Sequence, residues 1–253
     1  MRKIHSPTPK GFLPVFGIHP VTTVAENFPK LVARILFQES SNQNRLSDLK
    51  ALARGKRIVV HVIPEKQFAK YVDDSMVHQG VVALLKSFPY TEYDTWLENL
   101  DLSKNPAVLL LDEVQDPYNV GAIIRSAAAL GINAVLISKN RAVGVTGTVI
   151  KASAGTAFLI PVIQVTNVNQ AIRNLKDAKF WVTGLDMGGD PIKKAAFDTP
   201  TVFVVGGEGK GVRPQTKELC DFLYSIPMRG DIESLNASVS AAIACYEWSR
   251  GRN

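Results

Sequence analysis

From residue 107 onward the chain alternates short, almost wholly apolar runs with longer helix-like segments, and few folds accept that rhythm. Residues 107–111, 134–137, 180–183 and 201–205 are strand-length and almost wholly apolar, the pattern of strands buried on both faces. Helices are predicted over 122–130, stopped by Gly131, from 149 to 153, and over 237–250. This alternation specifies an α/β domain whose mostly parallel sheet is covered by helices. Ligands in such sheets gather at the carboxyl ends of the strands.

The first third reads as a smaller α/β unit. Residues 21–39 have helical spacing interrupted by Pro29, with 34–37 turning into a strand. Residues 46–54 suit a helix, 58–63 a buried strand ended by Pro64, 66–73 a helix and 80–85 another strand. Residues 86–105 lack a clean strand pattern and read as a linker with one helix over 95–100. A boundary near residue 90 follows, dividing the chain into domains 1–90 and 91–253.

Composition narrows the function less. The 253 residues carry a formal net charge of +6, which permits a polyanionic partner without requiring one. Cys220 and Cys245 are far apart and match no metal-ligand spacing, so reduced, packed thiols and no metal are expected. The first ten residues are charged and lack the apolar stretch of a secretory signal. No run approaches the ~18–20 apolar residues of a membrane span. A cytoplasmic protein without membrane contact is expected.

Three segments at strand ends hold the chemistry. The first, 111–125, leaves a strand and opens a helix. Asn119 reads plainly as a helix N-cap. Arg125, on a helix otherwise rich in Ala, Ile and Leu, reads either as a salt-bridge partner or as a fork for an RNA phosphate. The second, 204–214, has four glycines among the six residues 206–211, which expose backbone N–H groups and let a ligand approach closely. Neither the Walker loop nor the dinucleotide fingerprint fits its spacing, and Glu208 within it favours a cationic or neutral ligand over a phosphate. The third, 225–240, places Ser234 and Asn236 around Leu235 just before an Ala-rich helix, where simple capping is the plain reading.

Taken together, these segments resemble the signature motifs of the SpoU/TrmH family, within the SPOUT class of RNA methyltransferases, over residues 108–250. The first third resembles the substrate-binding domain of the family's 23S ribosomal RNA guanosine 2′-O-methyltransferases, at Gly17-Ile-His-Pro-Val21 and His78-Gln-Gly-Val-Val-Ala83. The resemblance implies a SPOUT-type parallel sheet with a C-terminal trefoil knot, preceded by an L30e/L7Ae-like α/β domain that binds RNA. It also implies a homodimer with its active site at the subunit interface, and S-adenosylmethionine as methyl donor. Gly206, Ile226 and Leu235 match positions that hold this cofactor, largely through backbone groups. Asn119 and Arg125, Glu208, and Ser234 and Asn236 match the polar residues of the three motifs in turn. The chain departs from the pattern at Ala237, where Val is more usual, and at Gly207, where Ala is common.

A ribose hydroxyl attacking a methyl group must lose its proton. The resemblance gives Arg125 that activating role. Arginine side chains are normally locked in the charged form, which favours instead a part in orienting the ribose–phosphate and stabilising negative charge. His61 and His78, in the first third, are weak candidates for the base. Lys50, Arg54 and Lys56 are candidates for phosphate contacts. Ribosomal RNA is favoured over transfer RNA as substrate; a tRNA ribose methyltransferase and a non-catalytic RNA-binding protein on the same scaffold are the alternatives.

Overall fold

The computed structural model describes residues 11–72, 77–207, 211–230, 234–250 and 252. The chain packs as two compact units. One comprises the residues up to Pro89 together with the distant stretch Val145–Phe158; the other comprises Tyr90–Gly144 and Leu159–Asn253.

The first unit runs β1 (Leu13–Phe16), α1 (Ile18–Asn27), β2 (Val32–Gln38), α2 (Ser47–Gly55), β3 (Val60–Ile63), α3 (Glu65–Phe68) and β4 (Val81–Leu85). Its sheet has the order β1-β4-β2-β3. β4 is antiparallel to both neighbours, with Leu85 opposite Leu13 on one side and Val32 on the other, and all five of its residues are buried. β2 and β3 are parallel, a pairing that requires a crossover, here α2. Phe16, Leu36, Phe68, Val82 and Leu84 form a core cluster of this unit. Val145–Phe158 joins it through Phe158, whose ring meets Phe28 at 6.0 Å and Phe88 at 5.5 Å between centroids.

Several boundaries differ from the expectation. α1 starts earlier and stops at Asn27, because Phe28 precedes Pro29 and takes an extended φ of −133°. α3 is a single turn rather than a helix to residue 73, and Asp73 lies outside the described residues. β3 is not buried: it is an edge strand, and Val59 and Val62 are each 54% exposed. β1 carries Pro14 and escaped the pattern analysis; at a sheet edge that proline costs no ladder bond.

His78 gives this unit a pH dependence. Its ring packs on Phe68 at 5.0 Å, and its Nδ1 accepts a hydrogen bond from the Gly80 N–H at 3.0 Å. Burial, and then the nearby charge of Lys151, lower its pKa below 6.5. The unfolded chain therefore takes up the proton more readily, so the stabilisation is present above the unfolded pKa and is lost as pH falls through the folded one. The thermal midpoint is expected to decline as pH drops from about 7 to about 5. His78→Gln should flatten that part of a calorimetric pH series.

The second unit contains α4 (Tyr93–Glu98), β5 (Ala107–Asp112), α5 (Pro117–Ala129) and β6 (Ala134–Ser138). After α6 (Gly147–Ala152), which belongs to the first unit, it continues with β7 (Val162–Val165), α7 (Val168–Asp177), β8 (Trp181–Pro191) and β9 (Thr201–Gly206). It ends with α8 (Pro214–Lys217), β10 (Phe222–Ser225) and α9 (Ala237–Ser249). The six strands are ordered β10-β8-β9-β5-β6-β7, and every neighbouring pair is parallel. β5 and β6 are buried along their whole length, as their unbroken apolar runs require. α7 buries Val168, Ala171, Ile172 and Leu175, a helical stripe, behind an Asn167 cap. With Trp96 it covers Val108, Leu110, Leu136 and Val204. α9 packs on α5 and β9.

β7, α7 and β10 were not predicted. β7 is four residues long and contains Gln164, and α7 is mostly polar. The sheet order reverses at its centre: β6 and β7 run outward from one side of β5, and β9 lies against the other. β5 and β9 end level, with Leu111 opposite Val205 and Asp112 opposite Gly206. The crevice between those two carboxyl ends is the switch point at which parallel α/β sheets bind ligands.

Candidate active site

The loops leaving β5 and β9 are locked together at the switch point. The Gly207 N–H donates to the Asp112 carbonyl at 3.1 Å, and Gly207 pairs with Gly211 in an isolated antiparallel bridge. A Cβ on Gly206 would stand 1.9 Å from the Gly211 carbonyl carbon, and one on Gly207 would stand 2.7 Å from the Glu113 carbonyl oxygen. Glycine is thus demanded here by backbone lying on backbone, in addition to any approach by a ligand.

Asp112, which the sequence did not single out, anchors the loop. It is fully buried. Its Oδ1 accepts from Arg213 Nε at 2.8 Å and pairs with a terminal guanidinium nitrogen at 2.7 Å, while Oδ2 accepts from the Arg213 N–H at 3.3 Å. Arg213 also pairs with Glu113 at 3.3 Å. The hydrogen bond to Asp112 raises the Arg213 pKa despite partial burial. Removing the cation would leave a buried carboxylate uncompensated, so Arg213→Met is expected to cost about 3 kcal/mol in urea denaturation.

A cavity of about 620 Å³ opens beside this loop. Gly206, Gly207 and Gly211 form one side; Leu185, Asp186 and Met187 of β8 and Tyr224 of β10 form another; Ile226, Met228 and the approach to α9 close it. Five of the predicted residues line it: Gly206, Ile226, Ser234, Leu235 and Asn236. The β8 residues were missed because Leu185-Asp-Met-Gly-Gly-Asp190 reads as a turn. Only the pairing of β8 beside β9 brings them to the same crevice. Asp186 forms an ion pair with Lys217 and accepts from the Gly188 N–H at 3.1 Å. Burial alone would raise its pKa, but these partners outweigh it and hold the carboxyl below its usual value.

Asn119 and Arg125 are not among the lining residues. Asn119 is buried, and the N-cap of α5 is Asp116, whose side chain accepts from the Tyr118 N–H at 3.0 Å with Pro117 in the first helical position. The capping reading of Asn119 is therefore corrected. Its Oδ1 instead accepts from Asn236 Nδ2 at 3.0 Å. Asn236 does cap its helix: its Oδ1 accepts from the Ser238 N–H at 2.9 Å. One carboxamide thus starts α9 and ties it to α5, bringing the first and third segments together. Arg125 is exposed on α5. Among the described residues it has no ion-pair or hydrogen-bond partner. Glu208 lies outside the described residues.

Two further groups are inert. Burial pushes the Cys245 thiol up to about 12 and the Cys220 thiol up to about 11. Among the described residues no His, Cys, Asp or Glu side chains are grouped as metal ligands.

Residues 106–246 match the model of the SpoU rRNA Methylase family, and residues 14–91 match that of RNA 2'-O ribose methyltransferase substrate binding. The chain belongs to the SpoU rRNA methylase family. It is an RNA methyltransferase of the SpoU/TrmH type, and relatives span nearly its whole length. It is 37% identical to the 23S rRNA (guanosine-2'-O-)-methyltransferase RlmB of Coxiella burnetii, over 94% of this chain and 95% of that one. YacO of Bacillus subtilis, which carries a TrmH family tRNA/rRNA methyltransferase name, is 36% identical over 94% of this chain and 96% of its own. Among solved structures, the SpoU methyltransferase AviRb of Streptomyces viridochromogenes, crystallised with the cofactor AdoMet, superposes with a TM-score of 0.81. It is 25% identical and covers 96% of this chain and 91% of that one. This SpoU-family chain thus shares the fold of AviRb over nearly its whole length.

Proposed function

We propose that the chain transfers a methyl group from S-adenosylmethionine to the 2′-hydroxyl of a guanosine ribose in 23S ribosomal RNA. The observation that carries this reading is the convergence of Gly206, Ile226, Ser234, Leu235 and Asn236 on one cavity at the switch point. A cavity of about 620 Å³ with mixed apolar and polar walls fits a nucleoside-sized ligand. When bound, S-adenosylmethionine supplies a methyl carbon activated by the adjacent sulfonium charge. Gly206, Ile226 and Leu235 hold the cofactor, and Ser234 and Glu208 fix the polar geometry, Glu208 being assigned from sequence alone.

Arg125 presents a planar guanidinium with no ion-pair partner among the described residues. It orients the ribose–phosphate and stabilises charge developing on the hydroxyl oxygen. The Asn119–Asn236 bond holds α5, and hence Arg125, in register with the loop before α9. Residues 91–253 act as the catalytic domain. Residues 1–90 act as the RNA-binding domain, whose mixed four-stranded sheet supports an L30e/L7Ae-like fold. The resemblance to RlmB over nearly the full chain supports ribosomal RNA. The tRNA modifying enzyme of A. aeolicus, by comparison, matches only 63% of this chain, with a TM-score of 0.53.

The working form in this reading is a cytoplasmic homodimer. None of the described helices is long and apolar enough to cross a membrane. Tyr118, Val239 and Tyr246 on α5 and α9 are 64%, 45% and 56% exposed, a face suited to a second copy. A C-terminal trefoil knot is supported by β9 lying between β8 and β5 while α9 packs back on α5. Methyl transfer from labelled cofactor to total RNA of a deletion strain, followed by site mapping, tests the function. A single labelled 2′-O-methylguanosine in 23S RNA is the expected result; label in tRNA would transfer the assignment to that substrate, and no label would favour the non-catalytic alternative.

A further inference from the structure

The two short segments of the first unit around Gly17 and Gln79 meet in space. The Gly17 N–H donates to the Val81 carbonyl at 3.3 Å, and Gln79 Oε1 accepts from the Ile18 N–H at 2.9 Å. They close one side of a second cavity of about 250 Å³, whose other side is the connection from β2 to α2: Gln38, Ser41, Asn42 and Arg45. Three carboxamides and a guanidinium line it, with no carboxylate among the described lining residues.

Its walls are set by the backbone. Gln79 and Gly80 are consecutive left-handed residues, at φ 56° and 76°, and a Cβ on Gly80 would fall 2.3 Å from that of Ser41. Holding the non-glycine Gln79 in this conformation costs backbone energy. Amide orientation is fixed as well. Gln79 Oε1 is taken by Ile18, and Asn42 Oδ1 accepts from the Asn44 N–H at 3.1 Å and the Arg45 N–H at 3.4 Å. The NH2 groups of both, and the Arg45 guanidinium, have no partner among the described residues. Nearby, the Lys151 amine lies 2.9 Å from where a Gly17 Cβ would stand. Among the described residues, it too has no ion-pair partner.

Directed N–H donors beside cations, in a hollow too small for a base pair, suit the keto edge of one unpaired base. RNA is read in sequence-specific fashion through such splayed bases, and guanine and uracil present the matching acceptors. We infer that this cavity captures one unpaired guanine or uracil of the substrate RNA, with Asn42 and Gln79 on its keto edge and Arg45 on the adjacent phosphate. The inference rests on the RNA methyltransferase reading and adds to it a second, base-selective contact.

Full-length protein and unmethylated 23S RNA from a deletion strain test it. Asn42→Ser keeps a capping oxygen but removes the amide donor. It should raise the KM for RNA about tenfold with kcat and cofactor affinity unchanged. Arg45→Ala should raise KM similarly and reduce the salt slope of RNA binding by about one, a change that Asn42→Ser should not produce. Wild-type KM in both variants would overturn the pocket while leaving the methyltransferase reading intact. Should the wild type transfer no methyl group, that reading fails by itself. Filter binding, which needs no catalysis, then decides the pocket: equal retention of 23S RNA by Asn42→Ser and wild type overturns it, and about tenfold weaker retention supports it.

Discussion

Arg125→Ala is expected to lower methyl transfer by at least about 10²-fold while leaving cofactor affinity unchanged. The guanidinium is exposed on α5, does not line the cofactor-sized cavity, and has no competing ion pair among the described residues. Its removal should therefore spare both folding and donor binding. Arg125→Lys keeps the charge but loses the planar fork, so only partial rescue is expected. Loss of cofactor affinity by calorimetry, in parallel with activity, would sink the assignment. The placement of Arg125 outside the cavity lining leads to a second expectation, which rests on the proposed homodimer. If each site draws Arg125 from the partner, unfolding and remixing Arg125→Ala with Gly206→Ala chains should restore about a quarter of wild-type activity, because half the dimers are mixed and each has one intact site. Sites contained within one protomer would give no such recovery on a clean two-variant background, since every chain would carry a defect.

Gly206→Ala should be the most damaging single methyl group in the catalytic domain. The added carbon has backbone 1.9 Å away at Gly211 and 2.2 Å away at the Val212 nitrogen, and no side chain can rotate to relieve the overlap. The loop must shift, against the Asp112–Arg213 anchor that holds it. A cost at the upper end of the ~1–3 kcal/mol seen for overpacking is expected, together with loss of cofactor binding by at least tenfold, since ~1.4 kcal/mol is a factor of ten in affinity. Gly211→Ala is the informative contrast. Gly211 has φ 62° with nothing within 4 Å of its missing Cβ, so only the left-handed backbone penalty of about 1 kcal/mol applies. Cofactor titration and thermal denaturation of the two variants separate collision from conformation; wild-type cofactor affinity in Gly206→Ala would show that the loop is not a wall of the binding site.

Much of the architecture was legible because it is written in local pattern. The buried runs at 107–111, 134–137 and 201–205 are strands that nothing but a covered parallel sheet can satisfy, and the three motif segments fall at their ends. Shorter or more polar elements were not legible. β7 and α7 are too brief and too mixed to stand out, and β3 looked buried because its sequence is rich in Val and Ile, although it lies at the sheet edge with none of its residues fully buried. The site divided in the same way. Gly206, Ile226, Ser234, Leu235 and Asn236 were recognisable by motif and spacing, whereas Asp112, Asp186 and Arg213 were not, since an acid at a strand end and an arginine before a proline are commonplace.

The sequence by itself determined the fold class, the family and the segments that carry chemistry, because these depend on residue type and near-neighbour spacing. Only the tertiary structure decided what each polar group does. It moved Asn119 from cap to bridge, left Arg125 exposed on α5 and gave the glycine loop its anchor. It also joined Gln79 to Gln38, Asn42 and Arg45 around a second hollow. The physical reason is range: hydrogen bonds, ion pairs and steric overlap act over a few ångströms in space between residues as far apart as 112 and 213, and no local pattern in the chain encodes which of them will meet.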